Sequence, residues 1–502
     1  MKSSLRLGLA VLLGVLTLAW LIDKAPPPLH FDEPIIGASA VAVARTGDLL
    51  AQGTLGLGVA NVNRPLAYFA LGGWLNAFGV GLAQARLWVV AMGTLALVLV
   101  ALMLPRGMAR WGALSVGFVI LLGQAYVRYD ALAMPFLALG LLLMGRYVGA
   151  LPLRPTMGYR PLDIIRGGVE ARHHAYIFFL IGFFLALVVE GHSLYLVVAL
   201  AVGTWQTWAY VAHLRGGWAY APFWGILAGG LAYGALYVGV RVLLFGMSLP
   251  ETLDFLRHSY EVEVGIGGGV SAQERVLQGL AERWRYSVAV MPLEGAIIAL
   301  ATAIALMRRA DARLRVGVGL YWLSLLFFVV LNPKPQNTHY YAMHALPLLA
   351  WLAGESLAVL EARSKRVVLA VSLLACVWGV ANLGVMARQN DVRELLQVSE
   401  AFNAQLPADV RGVIAPQVFY WGLARRDVFH TADFGKREVV PFLSANGFTP
   451  PDAVVLLAGL TDEVPNVRAY AEGAGFARVA CVRVQAFGGR AELYVHPRFG
   501  VQ

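Results

Sequence analysis

The sequence predicts a mainly α-helical protein: a polytopic bundle of about eleven transmembrane spans followed by a small C-terminal α/β domain. Three observations predict it. The 502 residues are 59% hydrophobic and only 14% charged, where a soluble domain carries roughly 25% charged residues. Folding alone cannot hide so much apolar surface, so a bilayer is part of the solvent. Apolar runs long enough to span then recur up to residue 386, since a spanning helix needs about 20 apolar residues. Beyond that point the chain changes in kind and becomes a mixture of short apolar runs and polar residues.

The eleven runs are Leu7–Ile22, Gln84–Leu104, Trp111–Val127, Ala131–Gly149, Ala175–Val189, Ser193–Ala212, Trp218–Val240, Ser287–Met307, Val316–Leu331, Tyr341–Leu360 and Val367–Met386. The first follows Lys2 and Arg6 and resembles a secretion signal. Asp23-Lys24-Ala25-Pro26-Pro27-Pro28 replaces a small-residue cleavage site, so it reads as a retained anchor. The tail, Ala387–Gln502, has a helical pattern over Glu394–Leu406 and Val467–Glu472. It has strand patterns over Val413-Ile414, Ala453–Leu457, Arg478–Val484 and Ala491–Val495. The expected division is a membrane domain, 1–386, with outer loops 23–83 and 241–286, and a soluble extracytoplasmic domain, 387–502. Cys376 and Cys481 lie in unlike surroundings and in no metal-binding spacing.

Charge placement sets the orientation. With the N-terminus cytoplasmic, the inner loops hold 17 Lys and Arg in 58 positions and the outer loops 10 in 126. That is the sign the positive-inside bias requires, and eleven spans then put the C-terminal domain outside the cytoplasmic membrane. The net charge of +10 is thus an anchoring charge and argues for no nucleic-acid partner. Acidic residues show the opposite bias, 12 outside against 4 inside, so chemistry is expected at the outer face.

Candidate site residues fall in five outer segments. Phe31-Asp32-Glu33-Pro34 follows the first span. Asp32 and Glu33 suit a base or a metal ligand, and equally a helix N-cap before Pro34. Arg64, in Asn63-Arg64-Pro65-Leu66-Ala67-Tyr68, opens a segment whose aromatics Phe69, Trp74 and Phe78 recur at helical spacing. That pattern predicts an interfacial helix with Arg64 at phosphate depth. Asp130 sits in the short turn Arg128-Tyr129-Asp130, either facing a cavity or pairing with Arg128. Lys334 lies in a Pro-rich loop ahead of Tyr340, Tyr341 and His344, a pattern fit for a phosphate clamp or an interfacial anchor. Arg257 and His258, with Glu261 and Glu263, occupy the loop 241–286, where Gly265–Gly269 reads as a lid hinge and not a P-loop. Glu190 and His192 mark a further outer helix end. Glu294 and Glu355, near or inside spans, are expected to pair internally.

In this order the segments resemble the GT-C class of membrane glycosyltransferases, and within it the family of protein O-mannosyltransferases and the lipid A aminoarabinose transferase. The resemblance is carried by Asp32-Glu33 after the first span and by Asn63–Phe69. Phe78-Gly79-Val80, Ala85-Arg86-Leu87 and Asp130 continue it, and Lys334 with Tyr340-Tyr341, Leu346-Pro347 and Leu352-Ala353-Gly354 closes it. Two positions depart. Glu190-Gly191-His192 stands where family members often show Lys-Gly-Pro, and Asn63 stands where lipid A transferases carry an acid. A lysine contact and a metal site using that acid are therefore not carried over, and no cofactor is named, with a divalent metal left open.

The resemblance implies an inverting transferase that moves a hexosyl or pentosyl group from a polyprenyl-phosphate donor to an envelope glycan, lipid or protein. Asp32 would be the base, with Asp130 and Glu33 beside it. Arg64, Lys334, Tyr341 and Arg257 would face the donor phosphate, and Glu190, His192 and His258 the substrates. The rival class is a lipid or glycan transporter. It predicts charges at mid-membrane and repeat symmetry, and the sequence shows few such charges and no repeat.

Overall fold

A computed structural model describes residues 32–48, 64–104, 107–122, 129–148, 169–191, 196–213, 221–264, 272–290, 292–307, 312–331, 345–388, 392–458, 464–485 and 488–499. The principal helices are α1 (Asp32–Thr46), α2 (Pro65–Phe78), α3 (Leu82–Met103), α4 (Met108–Leu122), α5 (Ala133–Val148), α6 (Val169–Leu187), α7 (Leu196–His213) and α8 (Ala221–Phe245). They continue as α9 (Leu249–Val264), α10 (Ala272–Arg285), α11 (Pro292–Ala305), α12 (Ala312–Leu331), α13 (Leu346–Glu361), α14 (Lys365–Arg388) and α15 (Val392–Gln405). The strands are β1 (Gly412–Ala415), β2 (Asp427–His430), β3 (Ala453–Ala458), β4 (Ala477–Val484) and β5 (Gly489–Val495).

Over their described residues, ten of the eleven apolar runs fall on helices, and the first, Leu7–Ile22, lies outside the described residues. Among the described residues three helical segments are long and apolar enough to cross a membrane: Leu82–Met103, Phe223–Phe245 and Arg313–Leu331. Met108–Leu122, Ala133–Gly145, Tyr176–Glu190 and Leu196–Thr207 are apolar but shorter. The structure therefore supports a polytopic helical protein with a small C-terminal sheet, without establishing eleven spans. One difference concerns the expected loop 241–286. Helix α8 runs on to Phe245, and α9 and α10 form two further helices.

The chain divides into two compact units. One gathers the described residues of 90–124 and 130–382. Its helices approach closely where a glycine lets one backbone meet the other. A Cβ on Gly182 of α6 would collide with the carbonyl of Ile226, and one on Gly229 of α8 with that of Phe179. Close backbone approach of this kind is how helices gain packing in lipid, where no hydrophobic force drives them together. Helix α13 is buried from Leu346 through Leu357, as its near-continuous apolar sequence requires. At its end the Glu361 carboxylate accepts the backbone N–H groups of Met108 at 3.0 Å and Ala109 at 2.8 Å, capping the start of α4.

The other unit gathers the described residues of 1–89, 125–129 and 383–502. Helices α1 and α2 pack with Gly72 against the Ala40 carbonyl and the Val43 side chain. The sheet has the order β2-β1-β3-β5-β4. Strand β1 is parallel to β2 and β3, and β5 is antiparallel to β3 and β4. Ile414, Phe429, Phe434, Leu443, Val454 and Val467 form its core. Helix α15 leans on the sheet: Phe402 meets Phe419 edge-on, and Glu394 accepts the Gln485 N–H at 2.6 Å. The tail also grips α1, because Gly37 has no room for a side chain beneath the Trp421 ring. Cys376 and Cys481 are free thiols.

Candidate active site

Helix α1 opens on the acidic pair. Pro34 suits its first turn, where a missing N–H costs nothing. The Glu33 carboxylate is fully buried and is held by Arg86 of α3, whose Nε donates at 3.0 Å and Nη2 at 2.7 Å. Both side chains are almost wholly excluded from solvent, at 0% and 1% exposure. Arg86 is the residue whose role the sequence did not disclose, although it sits inside the Ala85-Arg86-Leu87 motif. Its signal was its place at the start of an apolar run, where an arginine needs an internal partner.

The segment that follows Arg64 is helical, as its spacing predicted. Tyr68, Leu71 and Leu75 are buried, while Leu66, Phe69 and Phe78 are exposed. Arg64 precedes its first turn and is buried at 9% exposure. The turn into α3 passes through Gly79 at φ 95°, a left-handed conformation that suits glycine. Trp74 pins that turn by donating to the Gln84 carbonyl at 2.9 Å and packing at a tilt against Phe78 and Trp88. The chain from Arg64 to Arg86 is thereby fixed relative to Glu33.

In the other unit Glu190 is buried at 5% exposure and accepts the Tyr233 hydroxyl at 2.8 Å. Arg241, also buried, lies over the Tyr237 ring and donates to its carbonyl at 2.9 Å. Arg257 is exposed on α9. Glu294 pairs with Arg283 and accepts the Tyr321 hydroxyl at 3.4 Å, and Glu355 accepts from Trp351 at 3.3 Å. Both carboxylates are thus paired internally, as their positions near spans required.

Asp32, Asp130 and His258 lie in α1, in the short turn Tyr129–Leu132 and in α9, but their side chains fall outside the described residues. His192, Lys334 and Tyr341 fall outside them altogether, as do Gly265–Gly269. Among the described residues no three His, Cys, Asp or Glu side chains cluster as metal ligands do.

No family model and no curated protein matches the chain. Solved structures do. ArnT from Cupriavidus metallidurans, bound to undecaprenyl phosphate, superposes with a TM-score of 0.58 at 13% identity, over 97% of this chain and 98% of that one. The archaeal oligosaccharyltransferase AglB from Archaeoglobus fulgidus, in complex with an inhibitory peptide and a dolichol-phosphate, gives a TM-score of 0.42 at 10% identity, over 98% of this chain and 75% of that one. Over nearly its whole length, the fold of this chain is similar to that of ArnT.

Proposed function

We propose that the chain is an inverting glycosyltransferase of the cytoplasmic membrane, moving a hexosyl or pentosyl group from a polyprenyl-phosphate donor to an envelope glycan, lipid or protein at the outer face. The observation that carries the reading is the whole-chain likeness to ArnT, which was solved with undecaprenyl phosphate. This is an argument from fold, and the local arrangement adds to it. Glu33 is committed to Arg86, so of two adjacent carboxylates Asp32 takes the part of base. Arg64 is buried at the start of an interfacial helix in the same unit.

In the reaction the acceptor oxygen attacks the anomeric carbon as the bond from that carbon to the phosphate oxygen breaks. The hydroxyl proton passes to Asp32, and the bonding electrons leave with polyprenyl phosphate. Phosphate needs no acid to depart, but the charge gathering on it needs cations. Arg64 and Lys334 supply them, with Tyr341 and Arg257 in lesser parts. One displacement inverts the carbon. Asp130 holds the acceptor or raises the Asp32 proton affinity by like-charge proximity, and Glu190, His192 and His258 face the sugar or acceptor.

The test is incubation of the purified protein with a panel of polyprenyl-phosphate sugars while released polyprenyl phosphate is measured. Release from one donor, with inversion at the transferred carbon, is the expected result. No release from any donor, with movement of lipid or glycan across reconstituted vesicles, would replace this reading with the transporter.

A further inference from the structure

The tail holds an open cleft of about 530 Å³ whose polar wall is made by Arg45, Asn403, Arg411, Arg425, Arg426 and Asp427. Four elements bring these residues together, with Asn403 on α15. Arg45 ends α1. Arg411 precedes β1, and Arg425-Arg426 lead into β2. Strands β1 and β2 are parallel with Gly412 opposite Asp427, so Arg411 and Arg426 enter the sheet side by side at one end of the strands.

The four guanidiniums are not equivalent. Arg426 is structural: it donates to Asn403 at 2.8 Å, to the Pro407 and Leu406 carbonyls at 3.0 and 3.2 Å, and to the Val410 carbonyl, tying down the end of α15. Arg45 donates to the Ala424 carbonyl and pairs with Asp427 at 3.4 Å. The Arg411 and Arg425 residues are exposed, and their guanidiniums have no hydrogen-bond or ion-pair partner among the described residues. One carboxylate thus stands against four cations that cannot shed their charge. Such a wall repels itself, and an oxyanion relieves the repulsion. Two unengaged guanidinium forks flanking one opening match a phosphate or carboxylate in bidentate fashion.

We propose that this cleft is an oxyanion-binding site that seats a phosphate or carboxylate group carried by the acceptor. The acceptor role rests on the glycosyltransferase reading, while the anion site stands on the cleft alone. Arg45 lies thirteen residues along α1 from Asp32, about 20 Å at 1.5 Å per residue. An acceptor seated by its charge in the cleft must therefore reach about 20 Å to offer its hydroxyl to Asp32, which selects an extended acidic glycan or glycolipid over a simple sugar.

The experiment measures binding of inorganic phosphate and, in a second arm, glucuronate to the detergent-solubilised full chain by calorimetry. Arg411→Ala/Arg425→Ala is compared with wild type and with Arg411→Lys/Arg425→Lys, which keeps the charge and loses the fork. Binding weakened about ten- to a hundredfold in the alanine variant, less in the lysine variant and steeply reduced by salt is expected, and whichever arm binds tighter assigns the group. Equal anion binding by wild type and the alanine variant, or none by either, overturns the site. Anion binding lost in the alanine variant by a protein that transfers no sugar supports the site and overturns its acceptor role instead. With transfer established, an acceptor KM unchanged in the alanine variant also overturns that role.

Discussion

Glu33 and Glu492 both face an arginine, in the same compact unit, under opposite conditions. Glu33 and Arg86 are sealed from solvent, with two hydrogen bonds between them. Glu492 lies on β5, 10% exposed at its side chain, and its partner Arg478 on β4 is 55% exposed. The first pair joins α1 to α3 where water cannot replace a lost partner. The second joins neighbouring strands where water can. A buried pair gains little when intact, because desolvation offsets the attraction, yet it is severe to break, because one charge is left stranded. A half-exposed pair is cheap in both directions. The contrast teaches that the sealed arginine contact between α1 and α3 governs whether the site exists, and the one on the sheet edge does not.

Asp32, next to Glu33, sharpens the comparison most. If Glu33 is structural and Asp32 is the base, the two neighbours must respond differently to the same loss of charge. Asp32→Asn keeps size and hydrogen bonding but cannot take a proton, and loss of a general base typically costs about 10²–10⁴-fold in rate. Turnover should fall by that factor while the variant inserts and binds donor normally. Asparagine is as good an N-cap as aspartate, so turnover near wild type would assign Asp32 to capping and return the base to Glu33 or Asp130.

Arg86→Ala comes next in size. It leaves the Glu33 carboxylate buried and unpaired, at a cost of about 3–5 kcal/mol, enough to lose most of the folded protein in detergent. The double variant Arg86→Met/Glu33→Leu removes both charges and should recover most of that loss, as replacement of a buried pair by apolar residues often does. Thermal unfolding of the two variants checks this. A single variant as stable as wild type would show that water reaches Glu33 and that the pair is not the seal described.

The same contrast explains what could be read from the sequence. Over their described residues, ten apolar runs are helical because span length is a one-dimensional property, and the helicity of α2 followed from its periodic aromatics. The choice of Arg86 for Glu33 was not legible, since 53 residues separate them and pairing is decided in three dimensions. Strand β2 escaped notice because Asp427-Val428-Phe429-His430 is four residues with no alternation to recognise. Arg241 read as the end of a span because a charge interrupts hydropathy. In the structure Tyr237 covers it, and α8 continues to Phe245. The Arg45–Arg426 cleft was invisible because its members come from α1 and two separate strand starts. Patterns local in sequence were recovered, and groupings made by packing were not.

The smallest effect is predicted for Arg478→Ala, and its form matters more than its size. Burial pushes the Glu492 carboxyl up, but hydrogen bonds from Tyr494 and Arg478 and the Arg478 charge outweigh it, so the group titrates below the ordinary carboxylate range. A carboxyl lowered by folding adds stability that is present above its unfolded pKa and lost as pH falls through the folded value. Removing Arg478 leaves the Tyr494 hydroxyl, which donates to Oε2 at 2.7 Å, and the Cys481 thiol at 3.9 Å from Oε1, so Glu492 keeps hydrogen-bond partners and has water close by. At neutral pH the thermal midpoint should barely move. On the acid side the midpoint should begin to fall at a higher pH than in wild type, because the carboxyl protonates earlier. Melting curves of both proteins from neutral pH down to about 4, a range that covers ordinary carboxylate titration, test the claim. A large drop at neutral pH would mean that Glu492 behaves as Glu33 does, and the distinction between the sealed and the wet pair would fail.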